Sequence, residues 1–306
     1  MYKYDKYNYG IVMGYPRSGT TFLMKCLEAM PYSECVSENL LPYPIPHIAS
    51  QSIAPEIYQS LCFSFLSIVF NHAESGQARS RYEAFTRWVG GSLSTQELLQ
   101  ALQRKRSIEH LIYKEPCLSI APQYTYEALP NSRIVYIYRD GRDAADSLVR
   151  TFNLLNDEQL LTLQSREVPL GRRYDSRYIP WWVEPGRDRE FIESTPYVRS
   201  IWLWKEMVSR CHAFFTRPDI VASGRVMLLK YEDLVREPLK YGTLVVNHLG
   251  GDFNPRLAKL FQQARTSSIG IYQKRDPQEI IAAEKIARQE LELYGYLKST
   301  SELVRH

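Results

Sequence analysis

Short apolar runs alternate with helically spaced apolar positions along most of the chain. Ile11, Val12 and Met13 predict a buried strand ending at Gly14. From Gly19 onward, Phe22, Leu23, Cys26, Leu27 and Met30 line one face of a helix. Glu34–Glu38 and Leu111–Lys114 read as strands, and Arg133–Tyr138 is the clearest of all, β-branched and aromatic throughout. Val226–Lys230 is a further buried strand. Helices are predicted over Ala54–Phe70, Arg79–Val89, Ala121–Leu129, Tyr197–Phe215, Leu239–Leu249, Pro255–Ala264 and Pro277–Tyr294. Another runs on from Arg139–Asp143 through Ala144, Ala145, Leu148, Val149 and Phe152. Ser94 with Glu97 forms a capping box before Leu98, Leu99 and Leu102. The stretch Gln164–Pro196 is rich in Arg, Tyr, Trp and Pro and reads as loop.

Strands alternating with helices predict an α/β fold, a parallel sheet with helices on both faces. No linker or internal repeat divides the chain, so residues 1–306 are expected to form one domain with helical and loop insertions. A hydrophobic fraction of 44% and a charged fraction of 24% describe a globular protein with ample core. The net charge of +4 suits a small anionic ligand, and the absence of a long basic run argues against nucleic acid. The first residues lack the apolar core of a signal peptide. No apolar window is long enough for a membrane helix. Five cysteines without C-x-x-C spacing argue for a reducing compartment and against a zinc site. The expectation is a cytoplasmic protein acting without a membrane, a metal or a nucleic-acid partner, its oligomeric state left open.

The chemistry begins in the first loop. Gly14 to Thr21 is G-x-x-x-x-G-T-T, a phosphate-cradling loop with Thr20 where nucleotide hydrolases and kinases carry lysine. Backbone N–H groups, the helix N-terminus and the Thr20 and Thr21 hydroxyls suit a 5′-phosphate. The loop's own cation, Arg17, precedes Gly19 rather than following it, a poor arrangement for Mg-ATP. The plain alternative is a tight turn carrying a surface arginine.

Tyr15-Pro16-Arg17-Ser18-Gly19-Thr20-Thr21-Phe22 resembles the 5′-phosphosulfate loop of the sulfotransferases that use 3′-phosphoadenosine 5′-phosphosulfate (PAPS), nearest in style to bacterial and tyrosylprotein-like members. The resemblance implies a P-loop-type central sheet. It covers about residues 9–38, 111–152 and 228–296. Residues 40–110 and 153–196 are left as acceptor-side insertions, where Tyr43, Tyr174, Tyr178, Trp181 and Trp182 either line the acceptor pocket or belong to the core. In Tyr138-Arg139-Asp140-Gly141-Arg142-Asp143-Ala144-Ala145-Asp146-Ser147 the resemblance assigns Arg139 and Ser147 to the nucleotide's 3′-phosphate. A magnesium-holding Asp140, or a helix start capped by it, are the other readings of that block. The resemblance also implies cofactor contacts from Ser18, Gly19, Thr20, Thr21, Phe22, Tyr231, Ser268, Lys274 and Arg275. Phe22 is equally suited to the core, and Lys274 and Arg275 to solvent.

The implied reaction is in-line sulfuryl transfer to an acceptor, which needs cations at the leaving group and a base on the acceptor. Arg17 and Lys114, the latter in Tyr113-Lys114-Glu115-Pro116, are the candidate cations. No histidine occupies residues 114–118, where cytosolic steroid and phenol sulfotransferases place their base. That moves the assignment to Glu38, which follows the first helix and so resembles the catalytic glutamate of the tyrosylprotein group, with His47 second. The expected activity is transfer from PAPS, without metal, to a hydroxyl or less readily an amine of a small-molecule metabolite, releasing 3′,5′-ADP. Protein tyrosine sulfation, a kinase or NTPase using Mg-ATP, and an inactive nucleotide-binding scaffold are the alternatives.

Overall fold

The computed structural model describes residues 7–36, 54–57, 59–61, 63–64, 67, 85, 88–91, 93–103, 108–162 and 171–298. Five strands form a parallel sheet: β1 (Asn8–Met13), β2 (Ser33–Val36), β3 (His110–Lys114), β4 (Ser132–Tyr138) and, after a separate hairpin, β7 (Val226–Lys230). Their spatial order is β2-β3-β1-β4-β7, with β1 in the centre. Tyr9 lies opposite Leu111 on one side and Ser132 on the other, and Ile134 lies opposite Val226. All strands run the same way, so their carboxyl ends share one edge. Open α/β sheets bind ligands at that edge, where the strand order reverses.

Side-chain alternation along the strands makes two cores. One face carries Tyr9, Ile11, Met13, Leu111, Tyr113, Ile134 and Tyr136, covered by Phe214 and Phe215. The opposite face carries Val12, Ile112, Val135, Ile137 and Leu229. It is covered by α1 (Thr20–Leu27) through Leu23, Met24 and Leu27, and by Val245, Val246, Leu257 and Phe261. Burial on both faces explains the near-continuous apolar runs of β1, β3 and β4. Strand β7 is not the buried strand expected: it lies at the sheet edge, where Leu228 is exposed.

The capping box forms as expected at α2 (Thr95–Gln103). The Ser94 N–H donates to Glu97 Oε2 at 2.9 Å, and the Glu97 N–H donates to Ser94 Oγ at 3.2 Å. After β3 a 3₁₀ turn (Pro116–Ile120) precedes α3 (Pro122–Ala128), shortening the predicted helix because Pro122 fixes its first turn. Helix α4 (Gly141–Phe152) follows β4, and α5 (Pro196–Phe215) packs against it. The predicted last helix is two, α6 (Pro277–Ile286) and α7 (Arg288–Leu293), broken at Ala287.

Within the segment read as loop, residues 171–193 hold regular elements. Strands β5 (Gly171–Tyr174) and β6 (Arg177–Pro180) form an antiparallel hairpin, and Asp188–Glu193 is a helical turn. The hairpin turn is Asp175-Ser176, with φ of 46° and 60°. Two successive left-handed residues suit the twist of a hairpin, but they are usually written Asn-Gly or Asp-Gly, so this turn carries little sequence signal. The predicted helices over 54–70 and 79–89 lie largely outside the described residues.

Candidate active site

Strand β1 delivers the phosphate loop to the carboxyl edge of the sheet. A side chain at Gly14 would collide with the Ile137 carbonyl oxygen of β4, so the chain leaves β1 alongside its neighbour only as glycine. Tyr15 is buried, and its hydroxyl donates to the Ser200 carbonyl on α5 at 3.2 Å. The Ser18 N–H closes the turn on the Tyr15 carbonyl at 3.0 Å. Arg17 and Gly19 both take left-handed backbone, with φ of 71° and 99°. A Cβ at Gly19 would lie 2.5 Å from the Tyr231 ring. Thr20 is buried and Thr21 exposed at the start of α1. The Ser18 hydroxyl is fully buried, with no hydrogen-bond partner among the described residues.

The second block meets this loop. Arg139, the first residue beyond β4, is 4% exposed. Its Nη1 donates to the Arg17 carbonyl at 2.9 Å, its Nη2 donates to the Ser268 carbonyl, and its guanidinium stands 4.6 Å from the Tyr231 ring centroid. Its Nε is buried and unpartnered among the described residues. Ser147, eight residues along, accepts from Arg17 Nε at 3.1 Å. The Tyr231 and Ser268 hydroxyls share a hydrogen bond of 2.7 Å. The structure thus brings together Arg17, Ser18, Gly19, Arg139, Ser147, Tyr231 and Ser268. Partial burial, the neighbouring Arg139 charge and Arg150 lower the Arg17 pKa, although Tyr231 acts the other way. Clustered cations beside buried donors without partners among the described residues can hold an anion.

Lys114 ends β3 at the same edge, in register with Val12 of β1, and is buried. Glu115 beyond it has a structural task. Its carboxylate caps the following 3₁₀ turn by accepting from the Cys117 N–H at 3.0 Å, and it also accepts from the Tyr113 hydroxyl at 3.4 Å. Burial raises its pKa. Glu38, His47 and Tyr43 lie outside the described residues.

Other expected contacts are placed differently. Arg275 is committed to Asp146 at 2.8 Å and Glu279 at 2.9 Å, and its guanidinium lies 4.2 Å from the Tyr197 ring centroid. Lys274 is exposed. Phe22 is half-buried, edge-on to Phe261 with centroids 6.3 Å apart. Trp181 and Trp182 pack on the hydrophobic cluster around α5, and Tyr174 is exposed.

Asp140 caps α4 and is held by its neighbour: Arg142 donates to it from the backbone N–H at 2.9 Å, from Nε at 3.0 Å and from Nη2 at 2.7 Å. Both carboxylate oxygens are therefore engaged. Sequence reasoning missed Trp204, which supports the whole block. Its indole N–H donates to the Arg139 carbonyl at 3.2 Å, and its ring lies so close to Gly141 that a Cβ there would overlap it. Nothing in the spacing around Trp204 signals that contact, which joins residues 65 apart in the chain. Among the described residues no cluster of histidine, cysteine, aspartate or glutamate is arranged to hold a metal. Nor is any helix among them long and apolar enough to cross a membrane.

A sequence model described as the sulfotransferase family matches residues 11–189, more than half of the chain. No protein of curated function matches. Among solved structures, the sulfotransferase domain of the Synechococcus PCC 7002 olefin synthase is similar at 17% identity, covering 96% of this chain and 97% of its own, with a TM-score of 0.45. A sulfotransferase from Mycobacterium avium is 15% identical over 94% of this chain and 77% of its own, TM-score 0.45. A mouse sulfotransferase solved with PAP is 14% identical over 97% and 86%, TM-score 0.41.

Proposed function

The chain belongs to the sulfotransferase family, and on that premise we propose that it transfers a sulfuryl group from PAPS to a hydroxyl of a small-molecule metabolite. The observation carrying this reading is the junction of the two blocks: Arg17, Arg139 and Ser147 converge where the Ser18 hydroxyl and Arg139 Nε are buried without partners. Buried donors without acceptors are costly, and a doubly phosphorylated nucleotide supplies the oxygens they lack. The site's donors fit PAPS.

PAPS, when bound, supplies the activated sulfuryl group. The protein's part is to bind, orient and neutralise. Ser18, Thr20, Thr21 and the first amides of α1 hold the 5′ end through hydrogen bonds and the helix dipole. Arg139 and Ser147 take the 3′-phosphate, with Arg17 between the two ends. Tyr231 and Ser268 wall the nucleotide. Lys114 carries positive charge to the reacting end, and Glu38, with His47 second, removes the acceptor's proton. The engaged carboxylate of Asp140 disfavours a magnesium-dependent alternative. Cys26, Cys35, Cys117 and Cys211 are free thiols, which suits a cytoplasmic setting and a small acceptor better than a secreted tyrosine.

The test is a thermal-shift series with 3′,5′-ADP, PAPS, 5′-ADP and Mg-ATP, followed by an acceptor screen with PAPS. A metal-independent shift with 3′,5′-ADP, lost in Arg139→Ala, is expected. A shift with Mg-ATP alone sinks the reading.

A further inference from the structure

The loop around residues 266–274 reaches the nucleotide site from the far end of the chain, and a carboxylate no motif assigns holds it there. Asp143, in the first turn of α4, is 1% exposed. Its Oδ2 accepts from the Gly270 N–H at 2.7 Å and its Oδ1 accepts from the Tyr272 N–H at 3.1 Å. The same Oδ2 lies 4.0 Å from Arg139 Nη2. Gly270 sits at φ 75° between two 3₁₀ turns, Thr266–Ser268 and Ile271–Lys274, so a left-handed kink presents both amides to one carboxylate. Ser268, two residues before the kink, then meets Arg139 through its carbonyl and Tyr231 through its hydroxyl. The guanidinium of Arg142 stacks 4.2 Å from the Tyr272 ring centroid and braces the same segment.

We propose that Asp143 is a positioning residue for nucleotide binding: one buried carboxylate sets both the Arg139 guanidinium and the loop that lies over it. The inference rests on the nucleotide reading above. The geometry explains why an acid is placed beside an anion site at all. An aspartate so near a phosphate-binding arginine opposes the anion electrostatically. Here both its oxygens accept from backbone amides, which stabilise the carboxylate and anchor the loop. Asparagine keeps a single acceptor oxygen and turns an N–H₂ group toward the second amide, so it holds one end of the kink and repels the other.

Three measurements on Asp143→Ala and Asp143→Asn, each shown folded by its melting transition, test this. In the nucleotide-free protein, amide hydrogen exchange at residues 268–273 is expected to rise in both variants, while amides of β1 and β4 keep their protection. The Kd for 3′,5′-ADP by calorimetry is expected to weaken by about tenfold or more in Asp143→Ala and by less in Asp143→Asn. KM for PAPS is expected to rise while kcat at saturating PAPS stays within about threefold, since Asp143 touches no reacting atom. A folded Asp143→Ala protein with unchanged exchange and unchanged Kd overturns the proposal. So does a kcat loss with KM unchanged. Wild-type protein that fails to bind 3′,5′-ADP overturns the nucleotide reading itself. Exchange in the loop, measured without nucleotide, separates the two failures.

Discussion

Arg17 Nε donates to Ser147 Oγ at 3.1 Å, tying the phosphate loop to a helix 130 residues further along the chain. The motif patterns assign these residues to opposite ends of the nucleotide, Arg17 to the reacting end and Ser147 to the 3′-phosphate. On the proposed reading, their contact makes Arg17 a bridge between the two. Its guanidinium also lies over Phe152, 5.7 Å from the ring centroid, on the last turn of α4.

Arg17→Ala is therefore expected to lower kcat and to weaken binding of 3′,5′-ADP more than of 5′-ADP. Parallel titrations with the two nucleotides check this. Equal weakening of both would confine Arg17 to the 5′ end. Arg17→Lys keeps the charge without the Nε donor and should recover only part of the difference.

Arg139→Ala removes the proposed phosphate ligand and also the clasp between the Arg17 and Ser268 carbonyls. The expected loss in 3′,5′-ADP affinity is at least about tenfold, on the order of 1.5–3 kcal/mol for each charge-assisted hydrogen bond lost. Calorimetry measures it. An affinity within twofold of wild type would remove Arg139 from the site.

Gly141→Ala tests the support beneath Arg139. The added Cβ overlaps the buried Trp204 ring, so either α4 or the indole must move. A destabilisation of about 1–3 kcal/mol is expected for such overpacking, with weaker nucleotide binding in the folded fraction. Trp204→Phe keeps much of the volume but leaves the Arg139 carbonyl without its donor, at a cost of about 1–3 kcal/mol. Urea unfolding reads both.

Lys114→Ala should act on turnover rather than on nucleotide binding. A fall in kcat of about 100-fold or more, with the Kd for 3′,5′-ADP changed less than threefold, is the expected pattern for a cation used at the reacting end. A matched loss in nucleotide affinity would place the lysine in the binding site instead.

A pH-dependent contribution to stability is expected far from the site. Arg199 is 2% exposed and donates to the carbonyls of Leu155, Phe191 and Ile192 and to the Asp157 carboxylate, the last at 2.7 Å. That hydrogen bond holds the Asp157 pKa below the ordinary carboxylate value. A depressed native pKa contributes stability above the unfolded pKa of about 3.9, and the contribution fades as pH falls through the native value. Asp157→Asn should melt lower than wild type near neutral pH, and the gap should close below about pH 4. A gap independent of pH would contradict the pairing.

The sequence by itself determined most of the sheet and the motifs carried by continuous segments. Apolar runs named β3 and β4 to within a residue and the carboxyl half of β1, because strands buried on both faces admit little else, and they named β7 although it lies at the sheet edge. The two motif blocks were legible for a related reason: each is a strand end, a turn and a helix start, fixed by local backbone geometry. The tertiary structure alone decided how those blocks meet. Arg17 on Ser147, Asp143 on Gly270 and Trp204 beneath Arg139 join residues 130, 127 and 65 apart, and no periodicity encodes such distances. Arg275 shows the same limit from the other side. The resemblance implies a cofactor contact for it, but Asp146 and Glu279 stand close enough to take its charge, and only packing brings them there.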